Sequence, residues 1–336
     1  MTLAWRGRET AAPHEPGGDE ARELRAAGGE GRLFAGDNLS ILRSLARTEA
    51  GTVTLAYMDP PFLTNRVHEA IDKSAKALGD ARKRREAFDD RWIDRAAYLE
   101  SIGERLSAAR ELLAPNGSLV IHVDPRTSHY VKVLADEIFG EDAFASEIVW
   151  RYRRWPSKTP NFQRVHDVLL RYRKDPEVAP CWNALYEPLA ASTLATWGTK
   201  KQRAVFGADG RRERSSSTAA PSLGTPMGDV WDIGVIAPVS RERTGYPSQK
   251  PEALLHRIVS ALTNPGDLVL DPYAGSGTTL AVAAKLGRTF VGIDRSEVAL
   301  ETARGRLMAA GVALNEVPHP LLGPAEPAIS RRKRAG

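Results

Sequence analysis

The chain has 336 residues, 42% hydrophobic and 26% charged, enough apolar side chain to bury one large α/β domain or two modest ones and to exclude wholesale disorder. A formal net charge of +5 at pH 7 leans towards a polyanionic partner, and Cys181, the single cysteine, excludes an internal disulfide framework and a multi-cysteine zinc site. No apolar stretch has the length needed to span a bilayer and the first residues lack the apolar core of a signal peptide, so a cytoplasmic protein without membrane contact is expected.

Residues 1–30, rich in Gly, Glu, Ala and Arg without apolar periodicity, read as a flexible leader. From residue 31, short apolar runs alternate with amphipathic stretches, the pattern of strands joined through helices into a mostly parallel sheet. Arg32 to Ala35 reads as a strand, Gly36-Asp37-Asn38 as a turn, and Leu39, Leu42 and Leu45 as the inner face of a helix. Val53 to Met58 is apolar almost throughout, as a strand buried on both faces must be, and it carries Asp59 at its carboxyl end.

A helix over Arg95 to Leu113 stops at Pro115-Asn116-Gly117, and Ser118 to Val123 follows as the next central strand. The next helix, His129 to Phe139, stops at Gly140, and the alternating runs Glu147 to Tyr152 and His166 to Tyr172 predict an antiparallel edge. From Lys174 to Arg243 periodicity fades into Ser, Pro, Gly and Arg, which marks an insertion. Pro251 then opens a helix over Glu252 to Leu262, where its missing N–H costs nothing. Strand Leu268 to Leu270 feeds Asp271 to Thr279 and a helix ending at Gly287; strand Thr289 to Ile293 reaches Asp294, and a last helix spans Glu297 to Ala310. Residues 316–336 read as a basic flexible tail.

Between a buried strand and a helix, Gly275 and Gly277 let backbone N–H groups approach a ligand, and the helix start adds a positive dipole end. Asp294, about twenty residues on at the end of the next strand, suits the hydroxyls of a ribose. The loop lacks the Gly-Lys-Ser/Thr ending of a P-loop and the third glycine of a dinucleotide fingerprint. Asp271 would repel a pyrophosphate and attract an amino group, so a nucleoside bearing an α-amino group and a sulfonium fits better than NAD. A nucleotide-dependent oxidoreductase stays as an alternative on these residues alone.

Asp-Pro-Tyr-Ala-Gly-Ser-Gly-Thr-Thr at 271–279 and Asp-Pro-Pro-Phe at 59–62 resemble the two signature motifs of amino-group DNA methyltransferases. Their order is similar to that of the permuted β-group, in which the catalytic tetrapeptide precedes the cofactor loop. Gly36-Asp37-Asn38-Leu39 resembles the turn beside the cofactor adenine, and Gly245 to Pro251 the segment beside its methionine part. The likeness covers residues 31–310 apart from the insertion.

The resemblance implies a circularly permuted α/β Rossmann-like methyltransferase fold, a mixed and mostly parallel sheet with helices on both faces. Residues 31–173 would be its catalytic half, 174–243 an inserted target-recognition region and 244–315 the cofactor-binding half. It implies S-adenosyl-L-methionine as cofactor, held by Asp37, Asp59, Ser248, Gln249, Lys250, Asp271, Pro272, Ala274, Gly275, Gly277, Thr278, Thr279 and Asp294. DNA is the implied partner; a homodimer, a restriction endonuclease partner and a restriction-modification role stay open.

The chemistry follows from the nucleophile. An exocyclic base amine is weakly nucleophilic because its lone pair is delocalised into the ring, and acceptors aimed at its hydrogens draw that density back. Asp59 and the Pro60 carbonyl would be those acceptors, Pro60 and Pro61 would stiffen the turn, and Phe62 would stack on a base flipped out of the duplex. No metal is required for direct displacement on an activated methyl group. Asp rather than Ser at position 59 favours adenine N6, by the resemblance; cytosine N4, or a chain that binds DNA without catalysing, are the alternatives. Arg82, Lys83, Arg84 and Arg85, then Arg151, Arg153 and Arg154 beside Tyr152 and Trp155, then Lys200 and Lys201, are the DNA-binding candidates.

Overall fold

The computed structural model describes residues 21–71, 84–156, 158 and 160–317. In chain order the elements begin with β1 (Arg22–Ala26), β2 (Gly31–Ala35), α1 (Asn38–Glu49), β3 (Val53–Met58), β4 (Val67–Ile71), β5 (Arg84–Asp89), α2 (Arg95–Leu112), β6 (Leu113–Val123), α3 (Ser128–Phe139), β7 (Phe144–Arg151) and β8 (His166–Arg173). Next come β9 (Tyr186–Glu187), α4 (Ala191–Trp197), β10 (Lys200–Phe206), β11 (Arg212–Pro221) and β12 (Thr225–Pro226). The chain continues through β13 (Val230–Asp232), α5 (Glu252–Leu262), β14 (Leu268–Asp271), α6 (Thr278–Lys285), β15 (Thr289–Asp294), α7 (Glu297–Ala309) and β16 (Leu314–Val317).

The chain divides into two compact units, one of residues 182–229 and one of everything else. The smaller unit pairs β10 with β11 and β9 with β12, both antiparallel. The larger unit is built on a ten-stranded sheet in the order β13-β7-β8-β6-β3-β14-β15-β2-β1-β16. Its centre, β6 to β2, is parallel, while β8, between β7 and β6, and β1, between β2 and β16, run antiparallel to their neighbours. This is the mixed, mostly parallel α/β sheet expected of the sequence.

Chain direction explains where the site lies. The crossovers β2-α1-β3 and β3-α2-β6 step one way along the sheet, and β14-α6-β15 steps the other. Right-handed connections stepping in opposite directions put their helices on opposite faces. Every residue of β3 is therefore buried, and α1 and α2 close over it with Leu42, Leu45, Ile102 and Leu106. The directions diverge between β3 and β14. In a parallel sheet such a switch point opens a crevice at the carboxyl ends of the strands, and Asp59 and Asp271 stand at those ends.

The structure corrects the sequence reading at three places. Residues 22–26, inside the presumed leader, form β1, because β2 and β16 pair with it on both sides; its partners lie too far along the chain for local periodicity to reveal. Where Pro115-Asn116-Gly117 reads as a turn, β6 starts directly after α2 and pairing jumps from Val53↔Leu113 to Leu55↔Ser118, so those residues form a bulge within the strand. The antiparallel pair β7 and β8 is present but is not the edge. β13, from the stretch whose periodicity fades, pairs in parallel outside β7.

One glycine position is dictated by packing as well as by backbone. Gly277 caps α6 with φ +72°, and a Cβ built on it would lie 2.7 Å from the Ala303 Cβ and 2.9 Å from its Cα. Gly277→Ala is expected to cost roughly 2–4 kcal/mol, from left-handed strain plus overpacking. Gly311→Ala, at φ +86° with nothing within 4 Å of the added carbon, should cost only the strain. Urea denaturation of the two variants checks the difference.

Candidate active site

Two turns converge at the switch point. The first leaves β3 as Asp59-Pro60-Pro61-Phe62, with Pro60 buried and Phe62 partly so. Leu63 then takes a left-handed φ of 56°, a conformation that costs a branched side chain about 1–2 kcal/mol. Asp90, 1% exposed, offsets it: the N–H groups of Leu63 and Thr64 donate to its two oxygens at 3.1 and 2.8 Å, and the Trp92 indole donates at 3.0 Å. The stiff proline pair is thus clamped from behind by a carboxylate that no motif in the sequence marks.

The second turn leaves β14 at Asp271. Its carboxylate, 2% exposed, accepts the Tyr273 N–H at 3.0 Å and has no ion-pair partner among the described residues. Gly275 donates its N–H to Asp294 at 2.8 Å, and the other Asp294 oxygen accepts the Ser296 N–H at 2.9 Å. Asn38 ties the first helix to this turn by donating to the Pro272 carbonyl at 2.8 Å, and it is held in turn by Arg105 at 2.6 Å. Asp37 caps α1, accepting the Ser40 N–H at 2.9 Å, while its second oxygen faces Arg105 at 3.3 Å.

The segment before α5 joins the two turns. Lys250, 9% exposed, directs its ammonium onto the Asp59 carboxylate and also donates to the Ser248 carbonyl at 3.2 Å, lying 5.1 Å from the centre of the Phe62 ring. Ser248 has a left-handed φ of 59°. Gln249 is spent on bracing the loop, accepting from Thr244 and donating to the Glu242 carbonyl, each at 2.8 Å. Together these parts line one cavity of about 230 Å³. The structure gathers nearly all the expected cofactor residues in its wall: Asp37, Asp59, Ser248, Gln249, Lys250, Asp271, Pro272, Ala274, Gly275, Thr278, Thr279 and Asp294. Gly277 instead packs against α7, as above.

The basic candidates disperse. Arg82 and Lys83 lie outside the described residues. Arg84 pairs with Glu69 across β4 and β5 at 3.2 Å, and Arg85 with Glu301 of α7 at 2.6 Å. Arg151 is held by Asp232 of β13, Nε to Oδ1 at 2.6 Å, whereas Arg153 is exposed and Arg154 lies 5.0 Å from the Tyr152 ring centre. Trp155 and Phe162, 92% and 99% exposed, stand on the same β7–β8 connection. Lys200 and Lys201 are exposed on β10 of the smaller unit.

His122 escaped the sequence reading. It is fully buried on β6, with Nδ1 2.7 Å from the Tyr57 hydroxyl and 3.7 Å from Asp59 Oδ1, and its ring 5.6 Å from that of Phe62. The available signal was a lone imidazole within the apolar run Leu119-Val120-Ile121-His122-Val123, where a buried polar group needs partners.

Burial governs the charges. It pushes the Asp271 carboxyl up to about 7, against the opposing bonds from Thr279 and Tyr273, and raises Asp294 as well. It also raises the Tyr57 hydroxyl well above its ordinary range, with the neighbouring Asp59 charge adding to the effect.

Residues 53–305 match the family described as DNA methylase, of the N6/N4 type. This chain belongs to the DNA methylase family. The methylase is 28% identical over 341 residues to the type II methyltransferase M.EcaI of Enterobacter cloacae, covering 86% of this chain and 72% of that one. It is 29% identical to the DNA adenine methyltransferase YhdJ of Escherichia coli (strain K12), covering 83% of each. Among solved structures, the cytosine-N4-specific PvuII DNA methyltransferase shares the fold with a TM-score of 0.52 at 16% identity, over 82% of the methylase and 86% of that chain.

Because folding raises the proton affinity of Asp271, its contribution to the stability of the ligand-free methylase is fully present below the ordinary carboxylate range and is lost as pH rises through about 7. Stability should therefore fall between pH 5 and pH 8. Asp271→Asn, which cannot ionise, should flatten that slope; urea midpoints at the two pH values measure it.

Proposed function

We propose that this methylase transfers a methyl group from S-adenosyl-L-methionine to the N6 amine of adenine in DNA, by direct displacement on a base rotated out of the duplex. The observation that carries the reading is the union in one crevice of an Asp-Pro-Pro-Phe turn with a buried carboxylate, Asp271, that has no ion-pair partner among the described residues. The cofactor carries an ammonium and a sulfonium, and a wall containing Asp59, Asp271 and Asp294 complements both. Asp271 would hold the α-amino group and Asp294 the ribose hydroxyls, beside the amide of Gly275. When bound, the sulfonium supplies an activated methyl group.

Asp59 and the Pro60 carbonyl act on the other reactant. As acceptors for the amine hydrogens they favour a tetrahedral nitrogen and offset the positive charge that grows on it. Asp59 Oδ1 is buried without a hydrogen-bond partner, which leaves it open to such a donor. Phe62, packed beside Lys250 and His122, offers its ring to the base. Adenine is preferred to cytosine on the Asp at position 59 and on the likeness to an adenine methyltransferase.

The exposed Arg153, Arg154, Trp155 and Phe162 sit beyond the carboxyl end of β7, at the same end of the sheet as Asp59, and fit a path for the phosphate backbone and bases. Residues 174–243 are the proposed target-recognition region, and the order of the two turns fits a permuted chain. A role in a restriction-modification system, with an endonuclease partner or a second copy of the chain, accords with the type II relatives.

Nucleoside analysis of DNA from cells expressing the protein should show N6-methyladenine; N4-methylcytosine in its place would overturn the choice of base. Asp59→Ala should abolish labelling of DNA by a methyl-labelled cofactor even at cofactor concentrations that calorimetry shows to saturate the variant. Arg153→Ala and Arg154→Ala should each weaken DNA binding at all sequences and lower the salt dependence by about one ion, without changing cofactor affinity; binding titrations across salt concentrations check this.

A further inference from the structure

Behind the reacting end of the cavity runs a row of buried polar groups that methyl transfer as described does not use. His122 Nε2 is 3.3 Å from Asp167 Oδ2 on β8, and the Tyr152 hydroxyl donates to the other Asp167 oxygen at 3.0 Å. Arg154 donates to that hydroxyl at 3.2 Å and reaches the surface. The row thus leads from Asp59 past His122 and Asp167 to Arg154. Burial alone would raise the Asp167 carboxyl, but the hydrogen bonds from His122 and Tyr152 and the nearby Lys250 charge outweigh it and hold the group below its ordinary range. Trp150 packs edge-on at 5.5 Å and encloses the imidazole.

Such a row is costly, since His122, Asp167 and Tyr152 are taken out of water, and apolar side chains of the same shape would fill the space more cheaply. Its contact with Asp59 suggests why it is kept. Lys250 already occupies Asp59 Oδ2 and has no acceptor capacity, and the Tyr57 hydroxyl is held protonated by burial. Among the described residues, the His122 imidazole is the nitrogen base facing Asp59 Oδ1.

We propose that His122 is a positioning residue which also relieves Asp59 of the proton that the methylated amine sheds, with Asp167 holding the charged ring; the inference rests on methyl transfer occurring at Asp59. In the transfer step the amine lone pair forms the N–C bond while the methyl–sulfur bond breaks with its electron pair onto sulfur. The nitrogen is then cationic and still carries two hydrogens. One N–H bond breaks, its pair returning to nitrogen, and the proton binds Asp59 Oδ1. Passage to His122 Nδ1 restores the Asp59 carboxylate and leaves an imidazolium between Asp59 and Asp167. Tyr57 steadies the same nitrogen, donating to it before the step and accepting from it afterwards.

The ionisable groups facing this imidazole are Tyr57 and Asp59 from β3 and its turn and Asp167 from β8, with Lys250 reaching it through Asp59 and Tyr152 through Asp167. The test is single-turnover methyl transfer to DNA followed across pH, beside calorimetry of cofactor binding. His122→Gln keeps hydrogen-bonding capacity but cannot take up a proton. It is expected to transfer about 100-fold more slowly at pH 8, with unchanged cofactor affinity, and to give a pH–rate profile that differs in shape from that of the wild type. Tyr57→Phe, which keeps the imidazole, should retain the wild-type shape. An unaltered pH profile in His122→Gln, at whatever rate, overturns the proposal. Should that variant not fold, Asp167→Asn takes its place, expected to alter the shape of the profile and overturning the proposal if it does not. Failure of the wild type to methylate DNA would instead defeat the reading of the site.

Discussion

Because β3 hydrogen-bonds in parallel to β14, Asp59 and Asp271 leave the sheet side by side although they are far apart in the chain. Every other part of the site serves this juxtaposition. The opposed crossovers open the crevice above the two strands, Asn38 and Arg105 tie the α1 turn to the glycine loop, and Asp90 clamps the descending limb of the proline turn. With the roles proposed for them, a donor held at Asp271 and an acceptor held at Asp59 would be fixed in one frame, and such fixing is where much of the catalytic gain in a two-substrate reaction arises.

Of the carboxylates that line the cavity, Asp37 faces Arg105 and Asp59 is bonded by the buried ammonium of Lys250. Lys250 neutralises Asp59, whereas Asp271 and Asp294 are left to raised proton affinity. The ligand-free protein is therefore short of positive charge at the place where a cationic cofactor would supply it. A site built this way exchanges a proton for a ligand charge, which couples cofactor binding to pH through Asp271.

Much of this was legible in the sequence for a physical reason. The central strands β3, β14 and β15 are buried on both faces and so read as continuous apolar runs, and the functional residues stand at their ends, marked by Pro and Gly that punctuate any such pattern. The helix after Pro251 was legible to the residue. What could not be read is whatever depends on pairing at a distance: β1 needs β2 and β16, and β13 is three residues long and acquires its meaning from β7. His122 likewise draws its partners from β3 and β8. Charge by itself leaves surface roles open, since Arg84, Arg85 and Arg151 look like a DNA surface in the sequence and each also pairs with a carboxylate, Glu69, Glu301 and Asp232, in the fold.

Whether the crevice between β3 and β14 holds methyl donor and target amine together would be seen in a crystal structure of the protein with an unreactive analogue of S-adenosyl-L-methionine and a DNA duplex containing its site. An unstacked adenine is expected, with its N6 within hydrogen-bond distance of Asp59 and the Pro60 carbonyl, its ring against Phe62, and the analogue's ammonium on Asp271. A base still stacked in the duplex, or an amine that meets the protein away from Asp59, would contradict it.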